Sequence, residues 1–385
     1  METVLDLLRN NIKKFGMIIA LFGITILFQI LTDGIILTPL NVTNIIMQNS
    51  YIIILGIGMM LVIITGEIDL SVGSVAAFTG AVAGVLLVHY DLPVFVGILL
   101  CLLLGAIIGA WQGFWIAYVN IPSFIVTLAG MLIFRGLTLV VIQGQTIAPF
   151  PNSFRSMSSA FVPDLFGGGD LKLFTILIGL IVSIIYVFNE LRIRRTELKY
   201  NFSTLQLPMF IAKLVIILIL INAFMYILAL YQGIPYVLII LFVLVVGYTF
   251  VMEKTIPGRH IYAVGGNQNA AHLSGVKTKK MKFWVFINMG VLSALAGLIF
   301  AGRLNAATPQ AGNLFELDAI AAAIIGGASF TGGVGTVFGA VIGALVMGVL
   351  NNGMSLIGIG IVWQQAIKGI VLLAAVAFDV LNRNK

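Results

Sequence analysis

The sequence predicts an all-α protein, a polytopic bundle of transmembrane helices. Its 385 residues are 60% hydrophobic and only 9% charged, with a mean hydropathy of +1.13. Soluble domains carry about 25% charged residues, so water is not the solvent for most of this chain. Long apolar runs follow one another, and such runs cross lipid as helices because lipid offers the backbone no hydrogen bonds. We therefore expect about 12 spans in one transmembrane domain, residues 1–385.

The spans are assigned from the apolar runs in chain order. They are predicted at residues 16–31, 44–65, 75–88, 94–118, 123–142, 173–188, 208–230, 236–251, 283–301, 317–330, 337–350 and 362–378. A preceding segment, residues 1–15, is expected as a helix lying on the membrane surface, followed by an uncleaved first span.

The run 317–330 is too short for a helix perpendicular to about 30 Å of hydrocarbon, so it either crosses or re-enters. A crossing places both termini in the cytoplasm, in agreement with the basic Arg383 and Lys385. Re-entry would put the C-terminus outside and break the charge rule, and we favour the crossing.

The longest basic interruption, residues 252–282, is predicted to be a cytoplasmic loop. It contains six basic residues and only one acidic residue, Glu253. The basic residues are Lys254, Arg259, Lys277, Lys279, Lys280 and Lys282. Lysine and arginine accumulate on the cytoplasmic side of membranes. The middle of the loop predicts a short helix over 268–274, which Asn267 can cap and Gly275 can end. Such a helix is a surface that another protein could bind, although any multi-spanning protein needs basic loops.

Polar and ionisable groups at membrane depth are the candidates for a translocation path or gate, because each is costly in lipid unless paired or hydrated. Arg135 lies well inside one predicted span, and it could instead be the structural partner of a carboxylate or of helix-end carbonyls. The other candidates are Glu67, Asp69, Ser71, Asn305, Glu316 and Asp318. Glu67 and Asp69 could simply mark a helix start, where negative charge meets the positive end of the dipole. Arg303, Asn305, Glu316 and Asp318 are expected at the outer end, where a docking partner or water could meet them.

The sequence gives no support for catalysis. It contains no H-E-x-x-H or G-x-S-x-G motif, its three histidines lack metal-ligand spacing, and no cofactor or metal site is predicted. It also lacks G-x-x-x-x-G-K-[ST], so any ATP hydrolysis must belong to another polypeptide. The single cysteine, Cys101, is expected in the core. The net charge of +7 is confined to a few loops, which does not favour nucleic-acid binding.

A weak internal repeat is visible. Glu67-Ile68-Asp69 is similar to Glu316-Leu317-Asp318, and the glycine-rich runs beginning at Gly73 and Gly335 are also similar. The spacing between the two elements differs in the two halves. The pattern indicates a duplication of the kind that transporters use.

Four separated segments together resemble a known family. They are GMMLVIITGEIDLSVGSVAAFTGAVAG, IPSFIVTLAGMLIFRGL, PGRHIYAVGGNQNAAHLSGVK and ELDAIAAAIIGGASFTGGVGTVFGAVIGALVMGVLNNGMS. They resemble the membrane permease subunits of bacterial ribose/xylose-type ABC sugar importers, and the resemblance covers most of the chain. The extra length between Asn189 and Gly233 is similar to the longer xylose or multiple-monosaccharide branch.

The resemblance implies a permease of the bacterial inner membrane that acts as a homodimer, with the path at or near the dimer interface. It implies an ABC ATPase on the cytoplasmic face and a soluble sugar-binding protein on the outer face. The coupling element seated in the ATPase would comprise Gly265, Gly266, Asn267, Ala270, Ala271, Leu273, Ser274 and Gly275. The loop lacks the Glu-Ala-Ala…Gly signature of many other importers, which leaves open which residue anchors the ATPase.

Three alternatives stay open at the level of sequence. The chain could be an ion-coupled secondary transporter that uses Glu67, Asp69 or Arg135 as its coupling site. It could be an enzyme acting on lipid-linked substrates, for which a carboxylate cluster would be needed. It could also be an importer for another small solute, such as a branched-chain amino acid or a signalling furanone.

Overall fold

A computed structural model describes residues 12–167, 169–200, 202 and 204–381. All regular elements within these ranges are helical, which confirms the all-α prediction. The predicted surface helix over residues 1–15 lies largely outside the described residues. From Ile12 onward the chain is already part of the first described helix, which continues to Leu31.

Fifteen helices are found in the described part of the chain. They are α1 (Ile12–Leu31), α2 (Pro39–Ile64), α3 (Val72–Gly84), α4 (Val94–Ala117), α5 (Ser123–Val141), α6 (Asn152–Ser159), α7 (Leu173–Lys199), α8 (Leu207–Ala229), α9 (Tyr236–Lys254), α10 (Ile256–Gly266), α11 (Gln268–Leu273), α12 (Thr278–Leu304), α13 (Phe315–Ile325), α14 (Val337–Leu356) and α15 (Ile361–Leu381). A 3₁₀ turn, Ile35–Leu37, precedes α2, and a π-helical turn, Val85–His89, continues α3.

Nine of the described helices are long and apolar enough to cross a membrane, counting α3 together with its π-helical turn. Two further helices, α1 and α15, contain the shorter apolar stretches Gly16–Leu31 and Ile361–Ala377. With the short α13 these make the predicted twelve segments. The chain is therefore a multi-pass membrane protein.

Contacts divide the chain into two compact units. The first contains the described residues up to Ile36, then Ile45–Ser159, and those from Val237 onward. The second contains Leu37–Asn44 and Ala160–Tyr236. The single domain expected from sequence stays a prediction.

In the first unit, α2 lies at the centre of the core. Its residues Ile52, Leu55 and Ile57 are fully buried. A Cβ placed on Gly56 would contact Ala322 of α13 and Ala340 of α14, and one placed on Gly58 would meet Met289 of α12. Three helices surround α2 there, and from Ile52 to Ile64 it is apolar on all sides, as expected of a helix segment buried within a membrane bundle.

We call the two ends of the first unit basal and distal. The basal end is where Ile64 at the C-terminus of α2 meets Gly265 of α10 and Gly333. The distal end is where Ile147 pairs with Ala307. With 27 residues and a rise of 1.5 Å per residue, α12 spans about 40 Å between them.

Glycines allow α4 and α12 to pack backbone against backbone. A Cβ on Gly105 would lie 2.4 Å from the carbonyl oxygen of Gly290, and a Cβ on Gly109 would lie 2.3 Å from that of Phe286. Small residues commonly mediate helix association in lipid, where burial of apolar surface supplies no driving force between helices. The same part of the core holds Cys101, which is fully buried as predicted.

The second unit is built on the hairpin of α7 and α8. Glu190 and Lys213 form an ion pair at 2.8 Å, and Asn222 donates a hydrogen bond to Ser183 at 2.8 Å. These polar contacts hold together two helices whose surfaces are otherwise largely exposed and apolar. The extra length noted between Asn189 and Gly233 belongs to this unit.

We predict that Gly109→Leu destabilises the first unit, because the added side chain would have to displace the backbone of α12. Overpacking in a dense core costs typically about 1–3 kcal/mol. The measurement is the apparent unfolding temperature of the purified protein in detergent, which we expect to fall by several degrees. Gly247→Leu in α9 is the matched control, since a Cβ there would meet nothing within 4 Å. An equal effect of both substitutions would contradict the packing argument.

Candidate functional site

Two of the predicted spans in the first unit, 75–88 and 317–330, correspond to short α-helices, α3 and α13. α13 has 11 residues and is therefore about 16 Å long, whereas α3 has 13 residues before its π-helical turn. A non-helical segment precedes each of them, residues 65–71 and residues 305–314. Both are thus half-helices that begin inside the bundle.

The N-termini of the two half-helices are in direct contact, an arrangement we call the half-helix junction. A Cβ on Gly73 would lie 2.3 Å from the carbonyl oxygen of Gly312, and a Cβ on Gly312 would lie 2.0 Å from that of Gly73. Gly312 also has a φ of +70°, a backbone conformation that favours glycine. Neither position has room for a side chain.

From this junction the half-helices run in opposite directions. The last residue of α3, Gly84, packs against Ile147 and Ala307 at the distal end. The chain after α13 reaches Gly333, whose amide donates to the carbonyl of Ile64 at the basal end, over 2.9 Å. Residues 305–333 therefore lead from one end of the unit to the other, which supports the expected crossing rather than a re-entrant loop.

The junction brings together two positive helix-dipole ends, which repel one another unless negative charge lies nearby. The carboxylates singled out in the sequence supply that charge. Asp69 is 2% exposed and lies two residues before Ser71, the cap position of α3, which begins at Val72. Glu316 lies in the first turn of α13, and its Oε2 would be 2.6 Å from a Cβ on Gly73. The two similar acidic motifs thus both lie at helix starts, one in the segment just before α3 and the other within the first turn of α13.

Asp69 and Ser71 form one hydrogen-bonded network with Gln112. The Asp69 carboxylate accepts from the Ser71 amide at 2.8 Å and from the Ser71 hydroxyl at 2.6 Å. The carboxamide of Gln112 in α4 in turn donates to the Ser71 hydroxyl at 2.8 Å. Ser71 precedes α3, but its side chain makes no hydrogen bond to the first turn, so it orients Asp69 instead of capping the helix.

Arg135 and Asn305 hold the segment that leads into α13. The guanidinium of Arg135 donates to the carbonyl of Ala311 at 2.7 Å. The Asn305 side chain accepts from the amide of Phe150 at 2.9 Å, while its own backbone is left-handed with a φ of +55°. These contacts favour the structural interpretation of Arg135 over a direct role in the path.

The expectation that Glu316 and Asp318 lie at the outer end is wrong, because they are only 8% and 3% exposed. The Asp318 carboxylate forms an ion pair with Lys368 of α15 at 3.0 Å. The hydroxyl of Tyr51 lies 3.4 Å from the same carboxylate, and the ring of Tyr51 stacks on Phe315 with a centroid distance of 4.0 Å. The sequence candidates did not include Lys368, although it lies inside the predicted span 362–378, where an ionisable group is itself a signal.

An ion pair at the basal end joins the break before α3 to the start of α12. Lys282 approaches Glu67 to 2.5 Å, and each side chain is 14% exposed. Glu67 precedes the half-helix, and Lys282 lies in the first turns of α12, shortly after α11. The pair therefore connects the basic segment to the junction.

The helix α10 makes the closest basal contact. A Cβ on Gly265 would lie 1.6 Å from the carbonyl oxygen of Ile64 and 2.6 Å from the amide nitrogen of Gly333. Tyr262 donates to the carbonyl of Gly335 at 2.7 Å. Burial, and secondly the charge of Glu253, raises the pKa of Tyr262, so the phenol remains a donor at neutral pH. α10 thus touches the ends of both α2 and the loop that precedes α14.

The short helix α11 is capped as the sequence predicts. The Asn267 side chain accepts from the amide of Ala270 at 2.9 Å, and Gly275 ends the segment with a φ of +87°. Leu273 is 88% exposed, whereas Ala271 is buried. The hydroxyl of Ser274 donates to the carbonyl of Ala270. Gly265 and Gly266, grouped with this helix on sequence grounds, instead form the C-terminal end of α10.

A groove of about 450 Å³ lies beside α11. Its lining combines polar, basic and aromatic groups from α4, α11 and α12, among them Tyr118, Asn269, His272, Lys277, Lys279 and Lys280. An exposed leucine next to a basic groove is a surface suited to a protein partner that carries acidic groups.

Taken together, these contacts form one connected set, which we call the relay. α10 and the Glu67–Lys282 pair connect an exposed helix at one end of the unit to a break in the middle of it. Half-helix N-termini that meet inside a bundle are a recurring feature of transporters. The geometry therefore defines an integral membrane transport component.

Comparison with known proteins identifies the family. Residues 41–376 match the family described as branched-chain amino acid transport system / permease component. The chain belongs to this family of permeases, which are transport components and not catalysts.

Three relatives illustrate the similarity. The xylose transport system permease protein XylH of Haemophilus influenzae is 41% identical over 97% of this chain and 98% of its own length. XylH of Escherichia coli K12 is 39% identical over 97% of this chain and 93% of its own. The ribose import permease protein RbsC of H. influenzae is 35% identical over 88% of this chain and 84% of its own. No solved structure matches the chain.

We predict that Gly265→Ala lowers solute uptake at least about tenfold, because the added methyl group would force α10 away from the end of α2, against a dense core. The measurement is uptake of radiolabelled solute by cells that express the variant to the wild-type level. Gly266→Ala is the matched control, since a Cβ at that neighbouring position would meet nothing within 4 Å. Equal uptake by the two variants would show that the contact is dispensable.

The Glu67–Lys282 pair gives a second prediction. Breaking a buried ion pair costs about 3–5 kcal/mol, and we expect about 1–3 kcal/mol for Glu67→Gln because both groups keep partial exposure. The apparent unfolding temperature should fall, and the exchanged pair Glu67→Lys with Lys282→Glu should recover part of the loss. Additive losses in the double variant would mean that the two side chains do not interact.

Proposed function

We propose that this chain is the transmembrane subunit of an ABC importer that carries a monosaccharide, D-xylose or a related pentose or hexose, into the cytoplasm. The observation that carries the proposal is its 41% and 39% identity to two xylose permeases over nearly the whole of each chain. The ribose permease relative is less similar and is matched over a smaller share of the chain.

We further propose the partners that such an importer needs. A separate ABC ATPase subunit would bind α11 and its groove on the cytoplasmic face and supply the nucleotide hydrolysis. A soluble sugar-binding protein would deliver the sugar to the distal end of the first unit, and a second copy of the chain would complete a homodimer. The location would be the bacterial cytoplasmic membrane, with both termini in the cytoplasm.

The contacts at the basal end support a mechanism for this subunit. Motion of the ATPase would act on the exposed Leu273 and move α11. Gly265 and Tyr262 of α10 would transmit the motion to the end of α2 and to the loop before α14, while Lys282 would pull on Glu67. Both paths lead to the half-helix junction, where a change in spacing would open or close the way for the sugar.

Transport of another small solute is the second candidate, and the family description itself favours it, since it names branched-chain amino acids. An ion-coupled secondary transporter would need a titrating group exposed to the path. Asp69 and Asp318 are instead engaged with Ser71 and Lys368, so the geometry gives that alternative little support.

The decisive experiment on function is uptake of radiolabelled D-xylose, D-ribose and L-leucine by proteoliposomes that contain the chain and its co-purified ATPase, with the cognate binding protein added. We expect ATP-dependent uptake of a sugar and none of leucine. Uptake by the chain alone, driven by an ion gradient, would refute the proposal, as would transport of leucine only.

The coupling role of α11 makes a separate prediction. Leu273→Glu and Ala270→Glu should each reduce sugar-stimulated ATP hydrolysis at least about tenfold, because a carboxylate would be placed at an apolar contact with the ATPase. The matched control is Leu165→Glu, at a leucine that is 71% exposed and far from α11 in sequence. Unchanged stimulation in the α11 variants, with the ATPase still bound, would rule out this contact.

A further inference from the structure

The distal end of the first unit contains a polar cavity that the relay described above does not use. It has a volume of about 290 Å³ and lies between α2, α12, α14 and α15. Its lining includes four carboxamides, from Gln48, Asn49, Asn351 and Gln364. Carboxamides are costly at membrane depth, so such a concentration calls for a polar ligand or for internal partners.

Internal partners account for only part of this lining. Asn49 donates to the carbonyl of Ile45 on its own helix, and Gln364 donates to the carbonyl of Ile359. The side-chain oxygen of Asn351, by contrast, is buried and accepts no hydrogen bond from the described residues. A buried acceptor without a partner is unfavourable, and a ligand hydroxyl could satisfy it.

Two basic side chains also line the cavity, and only one of them is paired with an acidic residue among those described. Lys368 is neutralised by Asp318, which lies in the first turn of α13. Arg303, at the distal end of α12, makes no side-chain hydrogen bond or ion pair with any described residue. Its guanidinium offers several donors in a fixed planar arrangement, which suits two neighbouring oxygen atoms of a ligand.

Aromatic rings complete the lining. Tyr51 and Phe300 border the cavity, and their ring centroids lie 5.5 Å apart in an edge-to-face arrangement. Rings of this kind offer flat apolar surface to the C–H groups of a sugar, while the carboxamides both donate and accept as hydroxyls do. A branched aliphatic side chain would instead need an apolar pocket.

Size agrees with the same class of ligand. At about 30 Å³ per water-sized group, the cavity has room for about ten such groups, and a pentose has about ten non-hydrogen atoms. Its volume is close to the lower end of the range of about 300–1,000 Å³ that small-molecule sites occupy.

We propose that this cavity is a sugar-binding site within the single permease chain, in which Asn351, Arg303 and Gln364 bind the hydroxyls of a monosaccharide on its way to the half-helix junction. The site rests on the proposed function, and it deepens that function by placing a recognition step in the membrane subunit. The Lys368–Asp318 pair at the cavity wall links it to α13, and thus to the junction.

The first test measures access to the cavity in the purified full-length chain in lipid nanodiscs. Asn351→Cys is made in a Cys101→Ser background, and its modification by a small, charged, water-soluble thiol reagent is timed. We expect the thiol to be modified, and saturating D-xylose to slow its modification at least about threefold. L-leucine should not slow it, because only the sugar fills the polar cavity. The matched control is Gln145→Cys, at an exposed carboxamide outside the cavity, where the sugar should change nothing.

The second test measures uptake in the complete complex. Asn351→Leu keeps the branched heavy-atom shape of the side chain and removes no side-chain hydrogen bond described within the fold, so the variant should assemble. We expect the KM for sugar uptake to rise about tenfold, the cost of one lost hydrogen bond to the ligand. Gln145→Leu should behave as the wild type.

The outcomes separate the two proposals. If the wild type takes up sugar but Asn351→Leu does so with an unchanged KM, or the sugar does not protect Cys at position 351, the site is refuted and the proposed function stands. If the wild type takes up no sugar, the proposed function fails first. Protection by leucine in place of the sugar would overturn both.

Discussion

The backbone contact between Gly73 and Gly312 is the constraint on which the rest of the first unit depends. It holds the starts of two half-helices against each other, although their dipoles repel. The charge of Asp69 and Glu316 makes the contact tolerable, and Ser71, Gln112 and Arg135 fix the segments that carry it. Without this contact the carboxylates would be buried charges with no favourable field, which proteins rarely sustain.

The junction also explains why polar groups in this chain occur where they do. A half-helix leaves its first amide groups and the preceding segment without the hydrogen bonds that a continuous helix provides. Inside lipid those groups must be satisfied by neighbours. The side chains of Ser123, Thr127 and Asn305 all bond to backbone groups of the neighbouring segments, so the polar content follows from the two breaks.

Features encoded locally could be predicted from the sequence. The spans follow from apolar length, and α11 follows from Asn267 and Gly275, because a cap and a left-handed glycine act within one turn. α10 was missed although Thr255 caps it and Pro257 lies in its first turn, because glycine and arginine masked its apolar residues. The similarity of the two acidic motifs was visible, but not the contact between the helices that they begin.

Contacts between residues that lie far apart in the sequence could not be predicted in this way. Lys282 pairs with Glu67 across 215 residues, and Lys368 pairs with Asp318 across 50. Lys282 lies in the basic segment and Lys368 inside a predicted span, but nothing local indicates the partner of either. The burial of Glu316 and Asp318 was mispredicted for the same reason. A carboxylate near a span end normally faces water, and only the entry of residues 305–314 into the bundle takes it inward.

The contact between Gly265 and Ile64 has a mechanical consequence. Contacts made by side chains can absorb a displacement of several tenths of an ångström by a change of rotamer. The contact at Gly265 consists of main-chain atoms, which have no rotamers to change. In the proposed mechanism, a displacement of α10 would therefore be passed directly to α2, and a movement far shorter than one helical turn would be enough to shift the bundle.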